Sequence, residues 1–481
     1  MIDKLKENSL FLSLLFLGII LLTIQLETVT LRSVDGAVYS SMGRELTEKP
    51  FLDWIVLTFR GGEKFYENPH FMPFFLATFI KVFGVGAVSV VLPAVLLSIG
   101  SLIANYKIGK LVLDQRFGLL SMFCLLAIPQ FIKEGRNPML ETALMMFTLW
   151  SIYFGLRSLK ETKKWSLVSG IVCGFAFLSK GPISFLAPAV ILSMALISKI
   201  KIFEMKDYEN DFKDLMLKVL FFIIGFSIVL GVIDIWHLAV TGTSFWKSYY
   251  EVRLLYTMNH PTAALVQNVG GDHLFYLKMI LKKHIPWVYV ALIAPVLFFF
   301  YKNKHQEQIK KVYPALIVGM LMFWGYLFGF SIITFKAPWY MNTYFGGLAL
   351  LSAVSIYLVT NQKFRARYLV VTVNTIAITL LFLSSSFPSI FKSKKRVFES
   401  FLIQAQKNLG NKLKGHYVKD CISIGEWRGP FIVHYFLGAK ITSCESNSQY
   451  SLVNLENYNK KNKILYSVYP IALVTNEVGA Q

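Results

Sequence analysis

Charged residues are scarce in this sequence, at 16% of the chain, whereas hydrophobic residues make up 55%. A soluble globular protein has fewer apolar residues than this. The alternating segments of about ten residues that build a membrane β-barrel are also missing. The chain instead contains apolar runs of roughly 17–25 residues, each long enough to cross a bilayer as a helix. The composition therefore predicts an α-helical multi-pass membrane protein.

Several motifs that would indicate other functions are absent. The chain has no nucleotide-binding fingerprint, no P-loop and no HExxH zinc motif. A formal net charge of +21 would suggest a nucleic-acid partner in a soluble domain. Here many basic residues fall in short loops, where they orient membrane helices, so no nucleic-acid partner is predicted. No A-x-A-like cleavage site follows the first apolar run, which is therefore interpreted as a retained helix.

The apolar runs predict about eleven spans, and the loops between them fall into two alternating sets. One set carries clusters of Lys and Arg, and the other is nearly free of them. The positive-inside rule then places the N-terminus in the cytoplasm and, with an odd number of spans, the last ~90 residues outside. The predicted spans lie near residues 9–27, 88–106, 117–133, 138–156, 165–179, 182–198, 217–240, 285–301, 312–333, 338–360 and 367–387.

The chain is predicted to have two domains, a membrane domain over 1–387, with a first outer loop at 28–87, and a small extracytoplasmic α/β domain over 388–481. The second domain lacks long apolar runs and contains the short stretches CISIG, FIVHYFLG and KILYSVY, which are interpreted as strands. Cys421 and Cys444 both lie there and could pair if the domain is outside; two cysteines alone leave this open. Cys124 and Cys173 lie in apolar spans and are interpreted as packing residues.

The unusual polar residues of the membrane part fall on the predicted outer side. Five outer loops contribute to this set, whose candidate members are Asp35, Arg44, Glu67 and His70 in the first loop, Arg136 and Glu141 at the second, Lys180 in the third, Arg253 in the fourth, and Lys336 and Tyr340 in the fifth. Ionisable groups near the hydrocarbon boundary are costly and tend to mark functional sites.

Each residue also has a simpler interpretation. Glu141 follows Pro138 at a helix start, where an acid complements the helix dipole. Lys180 and Lys336 could be interfacial lysines that reach toward the headgroups. Asp35 could be a turn residue, and Glu67 with His70 lacks a third metal ligand, so the pattern favours no cofactor over a divalent metal. Taken together, the acids and bases suit transfer from a phosphorylated leaving group, in which an acid deprotonates the acceptor and cations stabilise the departing phosphate.

Five segments resemble the GT-C membrane glycosyltransferases, the family of lipid A aminoarabinose transferase and the protein O-mannosyltransferases. Asp35, Tyr39 and Arg44 match the first-loop element DExxYxxxAREM of that family. The other four segments are GGEKFYENPHFMPFFLATFIKVFG, RNPMLETALMMF, AFLSKGP and FKAPWYMNTYFGGLALLSA. They resemble the family elements GxPYxEKPPLxYWLxAxxFxLFG, R-x4-D, LxKGP and SKxPxYxLPxxPxLALLxA, in this order along the chain.

The resemblance implies a GT-C fold with about 11 to 13 transmembrane helices and a sugar donor on a polyprenyl phosphate, undecaprenyl in bacteria. It implies transfer with inversion on the outer face of the inner membrane. Asp35 and Glu141 would then be the catalytic acids, and the other residues of the set would bind substrate.

Three positions depart from the family pattern: Gly36 replaces a second acid, Asn68 a lysine that contacts the lipid phosphate, and His70 a proline. Because of these departures, Lys180, Lys336, Arg136 or Arg253 would have to carry the positive charge at the phosphate, and the sugar and the acceptor stay open.

The sequence thus predicts a glycosyltransferase that acts on a lipid, glycan or protein hydroxyl. Two other functions stay open. A transporter or flippase of lipid-linked sugars would also need intramembrane charges, but near the midplane on broken helices of two matching halves. A non-catalytic assembly subunit would fit the loss of an acid at Gly36 and of a lysine at Asn68.

Overall fold

The structure is a computed structural model that describes residues 2–24, 26, 31, 33–59, 63–66, 69–200, 203, 205–255, 272–302, 310–332, 336–360, 397–422, 429–446, 448–455, 463–468 and 471–475. Helices dominate this part of the chain. They are α1 (Ile2–Thr23), α2 (Val34–Thr47), α3 (Phe71–Phe83), α4 (Ala87–Val112), α5 (Gln115–Leu126), α6 (Pro129–Glu134), α7 (Leu140–Lys160), α8 (Lys164–Lys180), α9 (Leu186–Ile197), α10 (Phe212–Thr241), α11 (Phe245–Tyr249), α12 (Phe275–Lys283), α13 (Trp287–Leu292), α14 (Ala294–Lys302), α15 (Tyr313–Ile332), α16 (Phe345–Thr360), α17 (Val397–Leu409) and α18 (Gly429–Leu437).

Among the described residues, five helical segments are long and apolar enough, by length and composition, to cross a membrane: Ala87–Val112, Lys164–Ile197, Phe212–Thr241, Tyr313–Ile332 and Pro338–Thr360, of which Lys164–Ile197 is a pair of helices described below. A sixth is formed if α12 and the helix that follows it, bent by 113° relative to each other, count as one broken span. The multi-pass membrane architecture is confirmed. The count of eleven spans stays a prediction, and the span predicted at 367–387 lies outside the described residues.

The predicted single span at 117–133 is wrong, because two helices occupy it. α5 ends at Leu126, and α6 begins at Pro129. Proline has no backbone N–H to continue the helical hydrogen bonds, but it is well tolerated in the first turn of a new helix. The break lies just before the second predicted outer loop.

The segment 164–197 is a helical hairpin rather than one long helix. Gly181, at φ 66°, ends α8, and a short 3-10 helix leads into α9. Ser198, which follows α9, donates to the carbonyl of Tyr208, whose hydroxyl in turn donates to Leu111 O. Lys160, just before α8, donates to the same carbonyl, so the hairpin returns to the end of the bundle at which it began.

The described basic loops lie together at that end, here called the basic end. Lys110 contacts Gln115 across the α4–α5 turn. Lys160 pairs with Asp207, Nζ to Oδ2 at 3.4 Å. Tyr357, near the end of α16, donates to Asp114 Oδ2 at 2.9 Å. The opposite end carries the turn after α8 and is here called the site end. This separation agrees with the alternation of basic loops in the sequence.

The C-terminal residues form a small α/β unit. Strands are numbered along the whole chain, so β1 (Thr58–Phe59) and β2 (Glu63–Lys64) are a short antiparallel pair before α3. The C-terminal sheet has the order β4-β3-β5-β7-β6, where β3 is Tyr417–Asp420, β4 is Lys440–Ser443, β5 is Tyr450–Asn454, β6 is Lys463–Val468 and β7 is Ile471–Thr475. β3 is parallel to β4 and β5, and β7 is antiparallel to β5 and β6. The predicted α/β class of this unit is confirmed. Its predicted boundary at 387/388 lies outside the described residues.

The interpretation of FIVHYFLG as a strand is wrong, because this stretch lies in the helix α18. The neighbouring strands β3 and β4 are parallel, and a parallel pair requires a crossover connection, usually a helix. α18 packs against α2 on one side and α17 on another, so most of its apolar side chains are buried. Lys463–Val468, within KILYSVY, form the predicted strand. At CISIG, β3 ends at Asp420, just before the stretch, and residues 423–425 lie outside the described part of the chain.

A disulfide joins Cys421 and Cys444, which follow the parallel strands β3 and β4. The sequence left this pairing open, because spacing does not reveal that the two strands are neighbours. Cys124 and Cys173 are free and buried, as predicted for packing residues.

Candidate active site

α2 is the element that carries the first-loop acid. Ser33 caps its N-terminus, since its side chain accepts a hydrogen bond from the backbone N–H of Gly36 at 2.9 Å. Asp35 therefore lies in the first turn of a capped helix, where a carboxylate is stabilised by the helix dipole. Its side chain is half-buried and makes contacts within the fold.

Gly36 brings α2 against the second outer loop. A Cβ atom at this position would lie 3.0 Å from Asn137 Oδ1 and 3.4 Å from Pro138 Cγ. Gly36, which replaces the second acid of the family pattern, thus lies where α2 contacts the segment Asn137–Pro138. Arg136, next to Asn137, is buried and donates to the carbonyl of Ile24, just after α1. The first and second outer loops are therefore packed together beside Asp35.

Glu141, Lys180 and Tyr340 meet at the centre of the site end. Glu141 lies in the first turn of α7, is only 1% exposed and forms an ion pair with Lys180. The Lys180 ammonium lies 3.5 Å from the centroid of the Tyr340 ring, in cation–π geometry. Glu141 Oε2 has no hydrogen-bond partner among the described residues. Three segments that are far apart in sequence thus place an acid, a base and a phenol in one buried cluster.

The turn after α8 holds Lys180 in this position. Gly181 has φ 66°, and a side chain there would overlap the hydroxyl of Tyr249. Only glycine combines this left-handed conformation with so close an approach. Tyr249, at the end of α11, therefore connects the fourth outer loop to the Lys180 turn.

Lys336 is buried on the neighbouring segment. Its ammonium donates to Ser331 O at 2.8 Å and lies 5.6 Å from the Tyr276 ring. Partial desolvation lowers the Lys336 pKa, which the nearby Asp272 carboxylate opposes. Tyr276 in turn exchanges hydrogen bonds with the backbone of Ala337. The fifth loop is thereby fixed against α12.

Arg44 and His70 have structural contacts away from the Glu141 cluster. Arg44, at the far end of α2, is 3% exposed and donates to Tyr435 O at 2.5 Å. His70 is fully buried between loops, where its Nε2 donates to Ile55 O at 2.8 Å. Burial lowers the His70 pKa to about 3, so the ring is neutral. Tyr39 is buried in the core face of α2.

Glu67 and the Arg253 side chain lie outside the part of the chain that the structure describes, so their predicted roles stay predictions. Among the residues that are described, no three His, Cys, Asp or Glu side chains are grouped as a metal site. Because Glu67, the partner of His70 in the possible metal pair, is not among the described residues, this observation does not test whether the two residues bind a metal.

Asn137, Tyr249 and Tyr276 were not among the predicted site residues. Asn137 stands inside the quoted segment RNPMLE, next to Arg136, and this proximity was the available signal. Tyr249 and Tyr276 have no such signal, because tyrosines are common at membrane boundaries and their contacts depend on how the loops fold over one another.

Comparison with known proteins identifies the fold. ArnT from Cupriavidus metallidurans in the apo state superposes with a TM-score of 0.67 at 14% identity, covering 98% of this chain and 99% of that chain. The fold is that of the GT-C glycosyltransferases. The undecaprenyl phosphate complex of the same ArnT gives a TM-score of 0.65 at 14% identity, with 98% of each chain covered. The predicted resemblance is thus confirmed for the fold.

A more distant GT-C structure also matches. The archaeal oligosaccharyltransferase AglB from Archaeoglobus fulgidus, in complex with an inhibitory peptide and a dolichol-phosphate, gives a TM-score of 0.57 at 10% identity. The match covers 98% of this chain and 74% of that chain. Residues 67–209 match the family model of dolichyl-phosphate-mannose-protein mannosyltransferase, and no curated protein matches the chain in sequence.

Proposed function

We propose that this protein is a membrane glycosyltransferase that moves a hexosyl or pentosyl group from a polyprenyl phosphate, undecaprenyl phosphate in a bacterium, to a hydroxyl of a lipid, glycan or protein. The contact of Glu141, Lys180 and Tyr340 carries the proposal, because it joins three of the five segments on which the family resemblance rests. The ArnT complex with undecaprenyl phosphate supports the donor class, since the same fold holds a polyprenyl phosphate there.

In the proposed reaction Asp35 accepts the proton of the acceptor hydroxyl as its oxygen attacks the anomeric carbon. The bond between that carbon and the phosphate oxygen breaks, and its electron pair leaves with the polyprenyl phosphate. Lys180 and Lys336 stabilise the negative charge that develops there. Glu141 holds Lys180 in place until the phosphate binds. A positioned base contributes typically about 10²–10⁴-fold to such a step.

We further propose that the site end and the C-terminal unit are extracytoplasmic in the inner membrane of a bacterium. The basic loops at the opposite end support this orientation under the positive-inside rule. The Cys421–Cys444 disulfide supports it independently, because disulfides persist mainly in oxidising compartments.

Release of polyprenyl phosphate by the purified full chain in nanodiscs tests the function, with an undecaprenyl-phosphate sugar as probe and membrane glycolipids as acceptors. Asp35→Asn keeps the size of the side chain but accepts no proton, so it should lose about 10²-fold or more of the release rate. Asp53→Asn is the matched control, because Asp53 is an exposed carboxylate in the same loop. It should retain wild-type release.

Other outcomes would contradict the proposal. Movement of the intact donor between leaflets without release of the phosphate would indicate a flippase. Equal activity of Asp35→Asn and Asp53→Asn would show that Asp35 does not act as the base. The absence of release by the wild type with a range of polyprenyl-phosphate sugars would favour a non-catalytic assembly subunit.

A further inference from the structure

A short 3-10 helix in the first outer loop, Phe51–Ile55, exposes two large apolar side chains side by side. Phe51 is 61% exposed and Leu52 67% exposed, whereas Trp54 and Ile55 of the same turn are buried. Single exposed apolar residues are ordinary, but a contiguous apolar patch usually marks an interaction surface.

The patch continues directly onto a membrane-facing helix. Trp236, near the site end of α10, donates through its indole Nε1 to Leu52 O at 2.9 Å, and its ring lies 5.4 Å from that of Phe51. α10 is a candidate span, and its neighbouring side chains Ile235 and Leu238 are 70% and 50% exposed. Because α10 is an apolar candidate span, its exposed apolar side chains face lipid.

The surroundings have the composition of a membrane boundary. The rings of Phe51, Trp54, Phe74 and Trp236 form one aromatic cluster, with centroids 5.3 to 6.1 Å apart in successive contacts. The Lys81 ammonium lies 4.9 Å from the Trp54 ring. Tryptophan is enriched where hydrocarbon meets headgroups, and lysine stems extend along apolar surface there.

We propose that Phe51 and Leu52 insert into the leaflet on the site side of the bilayer and hold the first outer loop at the membrane surface. The occupant of the patch is lipid, because the patch is continuous with the lipid face of α10. This proposal depends on the membrane architecture and not on the proposed enzymatic function.

The anchor is firmly connected to the loop that bears α2. Lys49, which follows α2, donates to Val56 O at 3.3 Å and to Thr58 Oγ1 at 2.7 Å. Thr58 donates to Glu45 on α2. Insertion of the turn would therefore set the depth at which α2 lies over the bilayer.

Fluorescence quenching by lipids tests the insertion. Leu52→Cys is introduced into the full chain, whose Cys124 and Cys173 are buried and whose other cysteines are paired. The Leu52 carbonyl, and with it the Trp236 hydrogen bond, is kept. The cysteine is labelled with an NBD fluorophore, and the protein is placed in vesicles of phosphatidylethanolamine and phosphatidylglycerol that contain acyl-brominated phosphatidylcholine.

Two control positions bracket the result. Ile235→Cys lies on the lipid face of α10, and Tyr417→Cys lies on the C-terminal unit, where Tyr417 is 54% exposed. We expect the label at residue 52 to lose fluorescence as the label at 235 does, while the label at 417 does not. If the label at residue 52 kept its fluorescence, as the label at residue 417 is expected to do, the proposal would be overturned. Shielding at 52 that appears only at high protein-to-lipid ratio would also overturn it, because this would indicate a second copy of the chain on the patch.

Discussion

Glu141 and Lys180 form a buried ion pair, and variants of the two residues can separate the effect of the pair on stability from its effect on turnover. Lys180→Met leaves a carboxylate buried without its partner, which costs about 3–5 kcal/mol of folding stability. Adding Glu141→Gln removes that charge, so the double variant should regain most of the stability. If Lys180 is the proposed cation at the leaving phosphate, the double variant should not regain turnover, because that cation is still missing.

Thermal unfolding in detergent and release of polyprenyl phosphate measure the two effects on the same samples. The single variant Glu141→Gln is measured as well, so that the effect of losing the Glu141 carboxylate alone on stability and turnover is known. If the double variant recovered turnover together with stability, Lys180 would serve only to neutralise Glu141.

His70 predicts a pH dependence of stability. Its pKa in the folded protein is about 3, below the value of about 6.5 for an unfolded chain. Between these values the unfolded chain binds a proton that the folded protein does not. His70 therefore destabilises the fold as pH drops below about 6.5, by roughly 1 kcal/mol per pH unit, and has no such effect above it.

Replacing His70 by Gln should make the loss of thermal stability between pH 6.5 and pH 4.5 shallower, because Gln can keep the donor to Ile55 O without titrating. The unfolding temperature measured across this range is the readout. The matched control is His416→Gln, at an exposed position of the C-terminal unit. Equal slopes for His70→Gln and wild type would contradict the prediction.

At the scale of elements, α2 and the C-terminal unit share a polar interface that includes one buried contact, made by Arg44, and one exposed contact, made by Lys414. Arg44 is buried, pairs with Glu48 and donates to Tyr435 O. Lys414 pairs with Glu48 at 3.2 Å but is 47% exposed. Arg44→Ala should cost about 2–3 kcal/mol, and Lys414→Ala less than about 1 kcal/mol.

Hydrogen exchange over residues 397–475 reports this difference, because loosening of the interface raises exchange in the C-terminal unit before global unfolding. Arg44→Ala should raise it and Lys414→Ala should not. If both variants exchange like the wild type, the unit is held mainly by apolar packing.

The turn after α8 offers a test of geometry. Gly181→Ala places a methyl group against the Tyr249 hydroxyl and should displace Lys180, with a large loss of turnover. Gly181→Ala with Tyr249→Phe removes the atom in the way and should recover most of that loss. A cost of about 1 kcal/mol in stability should persist, because alanine at φ 66° stays strained. Failure of the double variant to recover any turnover would mean that the Tyr249 hydroxyl itself is needed.

The sequence pattern predicted the membrane helices, which depend on composition along the chain. It missed elements such as α18, whose structure depends on contacts with segments distant in sequence. Long apolar runs fix membrane helices in advance, and the basic loops did gather at one end. FIVHYFLG was assigned wrongly because a short apolar run has the same composition in a strand and in a buried helix. The pairing of β3 with β4 decides between them, and that contact is not visible in the sequence.

The site shows the same limit. Glu141, Lys180 and Tyr340 were grouped because they fall in predicted outer loops and in segments that resemble the family, and the fold brings them into contact. Arg44 was grouped with them because it lies in the same predicted outer loop as Asp35 and matches the same family element. The two residues lie at opposite ends of α2, so Arg44 reaches the C-terminal unit instead of the Glu141 cluster.

At the scale of the whole molecule, the orientation in the membrane can be tested through the C-terminal unit. In intact cells, a membrane-impermeant thiol reagent should label Tyr417→Cys without permeabilisation, because this exposed position lies on the site side. Lys164→Cys, at the basic end, should react only after the membrane is opened. The reverse pattern would place the site in the cytoplasm and would contradict the use of an outer-leaflet donor.

α2 has one further consequence, because Asp35 and Arg44 lie at opposite ends of one rigid rod. Nine residues at 1.5 Å per residue separate them by about 13 Å. If the C-terminal unit tilted α2 by 10° about its Arg44 end, Asp35 would be displaced by roughly 2 Å, a distance at which a catalytic group loses its alignment. A movement of the C-terminal unit would therefore be transmitted to Asp35 through α2. An acceptor that shifted this unit would change the alignment of the proposed base without touching it.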